Sequence, residues 1–213
     1  MRNQLIILLL LLLPICTHAQ VSELMYGRSQ GITLGLEKNN TVFLKYNWRN
    51  GFSVGAKHTV IVDKVEYQSF RIEGGYTWNN NYITLNATPF VTSDWKGSFY
   101  NAGASLGLLS NYYSKYARIG AEYVPYYDSD LKMQHGWAVK GLVNVTKEIA
   151  LLAEYGRKPD YRIAYKRMYT GVMFQVENLT VMPMLEIPIY DGGLHASHSS
   201  VVVNLAYRFE KRR

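Results

Sequence analysis

Cysteine is almost missing from this chain, with one residue, Cys16, among 213. It falls in the N-terminal segment MRNQLIILLLLLLPICTHAQ, which reads as a removable leader, so the remaining chain carries no thiol. That excludes both a disulfide framework and a thiolate metal centre. Long apolar runs are missing as well. Although 48% of the residues are hydrophobic, no stretch beyond the leader approaches the ~20 apolar residues that a membrane-spanning helix needs. If this chain enters a bilayer, it enters as strands. No linker, low-complexity run or composition shift divides it, and one domain follows.

The leader has one positive charge at Arg2, an apolar run from Leu5 to Leu13, and small residues at Thr17 and Ala19 before a cut between Ala19 and Gln20. Residues 1–19 are therefore expected to be a cleaved export signal and residues 20–213 the mature domain. A lipoprotein signal with Cys16 as the lipidated residue is the rival, but Ile15 stands where a small residue is wanted. Of the 23 Lys and Arg residues only Arg2 leaves with the signal, against 16 Asp and Glu, so the mature chain stays basic. A basic surplus favours anionic partners. Nucleic acid is not among them, because there is no clustered basic stripe and no common binding motif.

What the chain does have is alternation. Apolar and polar residues alternate with period 2 over about twelve segments: 31–37, 41–49, 52–62, 65–78, 82–91, 98–109, 112–124, 135–145, 148–156, 161–176, 178–190 and 198–209. In the second, Val42, Leu44, Tyr46 and Trp48 oppose Thr41, Lys45, Asn47 and Arg49, with Phe43 the exception. In the seventh, Ala117, Ile119, Ala121 and Tyr123 oppose Tyr116, Arg118, Gly120 and Glu122. The rings of 18 Tyr, 4 Trp and 7 Phe suit the boundary between hydrocarbon and headgroups. An aromatic-rich soluble β-sandwich is the plainer alternative, and it would hide the apolar face that a barrel shows to lipid.

Connections between the segments alternate too. Asn50-Gly51, Asn79-Asn80-Asn81, Ser110-Asn111, Thr146-Lys147 and Glu177-Asn178 are tight, and Asn and Gly tolerate the backbone angles of such turns. Thr92–Gly97, Pro125–Gln134, Arg157–Asp160 and Asp191–Ser197 read as longer loops, with Pro125–Gln134 the longest. The junctions near Lys38-Asn39-Asn40 and Asp63-Lys64 read as short. An even strand count puts tight turns at one end and loops at the other, which favours twelve strands, with ten as the alternative. The expected fold is all-β: an antiparallel up-and-down transmembrane β-barrel behind a cleaved signal peptide, located in the cell outer membrane.

The last segment carries Val201, Val203, Leu205, Tyr207 and Phe209 on one face. Signal, hairpin meander and aromatic-ended final strand together resemble a small Gram-negative outer-membrane β-barrel protein, over essentially the whole mature chain. The resemblance implies recognition of that strand by the barrel-assembly machinery. The departure is the tail Glu210-Lys211-Arg212-Arg213, since the aromatic is often the final residue in such proteins.

Alternation assigns Lys45, Arg49, Lys57, Arg71, Arg118, Lys140, Arg167 and Arg208 to the lumen, with Glu73, Glu122, Glu154 and Glu186. Basic residues outnumber acidic ones, and cations lining a narrow aqueous passage favour anions. In architecture this is similar to the small monomeric porins that pass acidic sugars. The expected function is a porin-like diffusion channel, non-enzymatic and without cofactor or metal. The main alternative is a salt-bridged, non-conducting barrel whose loops meet lipopolysaccharide or partner proteins.

Other motifs weigh less. Gly103-Ala104-Ser105-Leu106-Gly107 matches the spacing of a hydrolase nucleophile elbow but lies inside an alternating strand, where that chemistry has no strand–turn–helix corner. His195 and Ser197 resemble the His-x-Ser pair of outer-membrane lipid A deacylases. The only downstream carboxylate, Glu210, is expected at the other end of the strand; Glu186 or Asp191 would have to replace it. His195 and His198 have helical spacing and, beyond Asp191, no third metal ligand. Tyr112, Tyr113, Tyr116, Tyr123, Tyr126 and Tyr127 are expected in the aromatic girdle or stacking sugars at a loop mouth. Tyr126, Tyr127, Asp128 and Asp130 are expected on the longest external loop, and Lys64, Lys96 and Lys132 near a rim facing lipopolysaccharide.

Overall fold

The computed structural model describes residues 30–37, 40–60, 68–94, 96–111, 116–157, 166–190, 193–194 and 199–210. The expected leader, Lys64, Tyr112, Tyr113, Asp191 and the segment 195–198 lie outside the described residues.

Period-2 alternation becomes strands: β1 (Gly31–Glu37), β2 (Thr41–Asn47), β3 (Phe52–Thr59), β4 (Ser69–Asn79), β5 (Ile83–Asp94), β6 (Phe99–Ser110), β7 (Ala117–Asp128), β8 (Lys132–Asn144), β9 (Ile149–Arg157), β10 (Lys166–Val176), β11 (Leu179–Tyr190) and a C-terminal strand (Ser200–Glu210). A two-residue piece, Gly193–Leu194, pairs with the end of β11. Every strand runs antiparallel to the next, and the C-terminal strand returns to β1, from Gly31↔Glu210 to Leu36↔Leu205. Twelve strands close the ring, not ten. Closure pairs the two outermost strands and leaves no sheet edge.

The pleat separates two surfaces. Inward positions such as Thr33, Lys45, Lys57, Glu73, Glu122 and Arg208 are buried, while their neighbours Ile32, Leu44, Ile72, Ile119, Val139 and Leu205 are exposed. That outer surface is ordered along the strands. Tyr46 with Trp48, Phe52 with Tyr76, and Tyr207 with Phe209 pair near the tight-turn end, at centroid distances of 4.7, 4.9 and 4.8 Å. Phe99 with Tyr127, and Trp137 with Tyr155, pair toward the loop end at 6.4 and 5.3 Å. Aliphatic side chains fill the band between, which gives the aromatic-girdled apolar belt of a membrane barrel.

Turn chemistry fixes the tight end. Gly51 adopts φ +93°, which costs a glycine little, and Trp48 N–H donates to the Phe52 carbonyl at 2.9 Å. Asn80 Oδ1 accepts from the N–H groups of Tyr82 and Ile83 at 2.8 Å each, and Thr146 Oγ1 does the same for Glu148 and Ile149 at 3.1 and 3.0 Å.

The expected long loop at Pro125–Gln134 does not exist. β7 runs on to Asp128 and β8 begins at Lys132, and Asp128 Oδ1 closes the short turn by accepting from Asp130 and Leu131 at 2.9 and 3.0 Å. Pro125 instead sits in the ladder opposite His135. Of the junction after β3, residues 61–67 lie outside the described residues.

Apart from a register shift at Thr92/Ser93, the ladders break internally at Pro89, Pro125 and Pro183. In each case pairing toward the preceding strand skips the proline and the residue before it, while pairing toward the following strand continues. Proline has no N–H to donate, so one ladder bond is lost on one side only.

Candidate functional site

The lumen has two unlike walls. From the C-terminal strand through β4 the inward charges are Arg208, Glu37, Lys45, Lys57, Arg71 and Glu73. Lys57 Nζ divides between Glu37 Oε1 at 3.3 Å and Glu73 Oε2 at 3.6 Å, and Arg71 Nε lies 3.5 Å from the same Glu73 oxygen. Glu73 leans over Gly55, where a Cβ would come within 3.4 Å of its Cγ, so the missing side chain makes room for the carboxylate. Among the described residues, four cations and two carboxylates line this wall.

Two aromatic rings, Phe43 on β2 and Phe90 on the adjoining β5, pack against these cations. Phe43, the exception in its strand's alternation, lies across Gly35: a Cβ there would stand 2.4 Å from the ring. Lys57 Nζ sits 5.9 Å from the Phe43 centroid, and the Arg71 guanidinium carbon 3.6 Å from that of Phe90.

From β7 through β11 the charges balance with a slight acidic surplus: Arg118, Lys140 and Arg167 against Glu122, Asp128, Glu154 and Glu186. Lys140 Nζ donates to Glu122 Oε2 at 2.9 Å, with both side chains nearly sealed at 2% and 5% exposure. Ser105 Oγ donates to the other Glu122 oxygen, and Glu154 stands opposite Lys140 in register. Arg167 Nη1 bonds Glu186 Oε1 at 3.1 Å and donates to the Tyr169 hydroxyl at 3.2 Å. Beside these pairs lies an apolar cluster containing Leu142, Ala150, Leu152, Met173, Met182, Met184 and Val202.

Of the side chains that alternation assigns to the lumen, Arg49 is the misplaced one. β2 ends at Asn47, and Arg49 is exposed in the turn before Gly51, because the alternation continues in sequence past the point where pairing stops. The others occupy inward positions. Glu37 and Asp128 are inward carboxylates absent from the expected set; both sit at strand ends, beside residues that read as turn formers. With them included, the interior as a whole is close to balanced, and the positive excess is confined to one wall.

Gly103 to Gly107 lie inside β6, with Ser105 buried against Glu122. Tyr126 and Asp128 point inward and are buried, Tyr123 and Tyr127 face outward, and Tyr116 is exposed in the turn before β7. Tyr123 hydroxyl lies 2.6 Å from His135 Nδ1 on that outer face. Lys96 and Lys132 are exposed next to the loop-end turns. Among the described residues no cluster of three or more His, Cys, Asp or Glu side chains is placed to hold a metal ion.

No protein-family model matches the chain, and no curated protein matches it in sequence. Solved structures do match. The NanC porin in its rhombohedral crystal form superimposes with a TM-score of 0.51 at 13% identity, over 86% of this chain and 100% of that one. The KdgM porin in complex with disordered oligogalacturonate gives 0.56 at 10% identity, over 86% and 99%. At such identities the likeness is one of architecture: a closed, twelve-stranded antiparallel β-barrel like those of these porins.

Proposed function

We propose that the protein is a narrow diffusion channel of the cell outer membrane with a weak preference for anionic solutes. The observation that carries this reading is the unbalanced wall, where Arg208, Lys45, Lys57 and Arg71 outnumber Glu37 and Glu73 along one side of the lumen. Cations fixed in a narrow aqueous passage lower the barrier for anions and raise it for cations. The inner surface also calls for water: the buried Thr33 Oγ1, Thr88 Oγ1 and Asn101 Oδ1 have no hydrogen-bond partner in the protein. The KdgM structure adds a parallel, since oligogalacturonate is a polyanion held by a barrel of similar fold.

The remaining assignments follow from the same reading. Residues 1–19 are a cleaved signal, residues 20–213 the barrel, and the tight turns and both chain ends face the periplasm. The C-terminal strand engages the assembly machinery. Lys96 and Lys132 meet lipopolysaccharide at the outer rim. The barrel performs no catalysis.

Planar-bilayer recording of refolded protein tests the channel. Single-channel steps are expected, with a reversal potential in a KCl gradient displaced toward that of chloride. Silence from protein shown by heat-modifiable gel mobility to be folded overturns the reading. It leaves a non-conducting interaction barrel, which the near-complete burial of Lys140, Glu154, Tyr169 and Arg208 favours.

A further inference from the structure

Methionine is a minor component of this chain, with 7 residues in 213, yet Met173, Met182 and Met184 share one patch of the lumen wall. Met182 and Met184 flank Pro183 on β11, so their side chains leave the same face of the strand. Gly171↔Met184 and Phe174↔Val181 pair on either side of the ladder gap at Pro183, which sets Met173 of β10 opposite Met182. All three methionines are between 2% and 6% exposed, while their neighbours Phe174 and Leu185 face outward.

Opposed Cβ atoms on adjacent strands lie about 4.5–5.5 Å apart, and diagonal ones about 7–8 Å. From that spacing, unbranched side chains with three rotatable bonds can bring their sulfurs together. The local backbone favours it. A Cβ on Gly171 would stand 2.8 Å from Met184 Cγ, so Met184 leans across onto β10, over the glycine two residues before Met173. The rest of the cluster is aliphatic apart from Tyr169, whose hydroxyl already accepts from Arg167. Packing alone asks only for bulk here, which leucine supplies at Leu142 and Leu152 of the same cluster.

Three gathered thioethers form a neutral, soft donor set. Such sulfurs select Cu(I) and its congeners, whereas Ca²⁺ and Mg²⁺ demand oxygen ligands and Zn²⁺ takes thiolate, imidazole or carboxylate. The slight acidic surplus of the wall from β7 to β11 suits a single positive charge. We propose that Met173, Met182 and Met184 form a three-sulfur site for one soft monovalent metal ion, Cu(I) or Ag(I). The site needs only the folded barrel, and so stands apart from the channel reading.

The mature barrel, folded in detergent, is equilibrated with Ag(I), or with Cu(I) under ascorbate, and separated from free metal by gel filtration. Metal per protein, the ligand shell seen by X-ray absorption and the heat-modifiable mobility of the band are read together. One retained ion with an all-sulfur shell is expected, and no retention of Zn²⁺ or Ca²⁺. Leucine nearly conserves the volume of methionine, so Met173→Leu, Met182→Leu and Met184→Leu leave the barrel folded. Each is expected to weaken Ag(I) by about tenfold or more, at least the effect of losing an outer partner of a metal site. The triple variant is expected to retain none. Met133→Leu/Met168→Leu, at outward positions, is expected to bind as the unaltered protein does.

No ion retained by the unaltered barrel overturns the site, as does equal retention by the triple variant. A nitrogen or oxygen shell around the ion in the unaltered protein overturns it without recourse to any variant. Currents recorded in metal-free buffer are unaffected by these outcomes, so the channel reading is judged separately.

Discussion

On the wall from the C-terminal strand to β4, Lys57 is divided between two carboxylates at 3.3 and 3.6 Å; on the wall from β7 to β11, Lys140 holds Glu122 at 2.9 Å with Glu154 opposite in register. The first arrangement is loose, with one lysine shared between two carboxylates at distances beyond 3 Å. In the second, charge is matched and the contact is sealed, so removing one partner breaks a buried network. On the proposed channel reading, ions of the same kind serve passage on one side of the lumen and closure of the barrel on the other.

The sharpest way to break that distinction is Glu122→Leu. Removing the carboxylate that Lys140 holds at 2.9 Å, with Glu154 still opposite in register, is expected to cost about 1–3 kcal/mol, read as a lower urea midpoint in liposomes. The double variant Glu122→Leu/Lys140→Met recovers most of it. A loss below about 1 kcal/mol, the size of an exposed pair, means that this wall is as wet as the other.

Selectivity probes the loose wall. Lys45→Gln with Lys57→Gln is expected to lower the anion-to-cation permeability ratio roughly threefold or more, by removing two charges from a narrow aqueous path. The charge-neutral double change Arg167→Gln/Glu186→Gln is expected to leave the reversal potential in place. Equal shifts from both would show that the two walls do not differ.

Phe90→Leu removes the ring beneath Arg71 and is expected to cost about 1 kcal/mol of stability, with a small change in conductance as the guanidinium loses its rest. The mildest test is Pro183→Ala. The new N–H faces the β10 strand and adds a ladder bond worth about 1 kcal/mol, while the lost ring rigidity gives back roughly 0.4–1 kcal/mol. Stability barely moves, but amide exchange in peptides covering β10 and β11 slows. Unchanged exchange would mean that the ladder gap has another cause.

Much of the architecture was legible because a barrel wall is one residue thick. Val42, Leu44 and Trp48 are exposed while Lys45 is buried inside the ring, and that contrast is written at period 2. Strand ends were less legible, since pairing stops for reasons that lie on the neighbouring strand. Arg49 continues the alternation of β2 but has no partner row, and Pro125 and Asp128 look like loop residues because the same chemistry serves a loop, a ladder gap and a tight turn. The two walls were not legible at all. Alternation sorts side chains into inside and outside, but only the register shows which inward ions share a wall, and hence that Glu37 belongs with Lys57 or that Thr33 stands between Lys45 and Arg208.

The three prolines in the ladders have a consequence for how the ring is held together. Each gap falls between strands that follow one another directly in the chain: β4 with β5, β6 with β7, and β10 with β11. A direct connection keeps its two strands near each other whether or not every bond is made, because little chain entropy is lost in bringing them together. The pairing of β1 with the C-terminal strand has no such tether, since its partners stand at opposite ends of the barrel sequence, and there the ladder from Gly31 to Leu36 is unbroken. Bonds are forgone where connectivity does the holding, and kept where nothing else can.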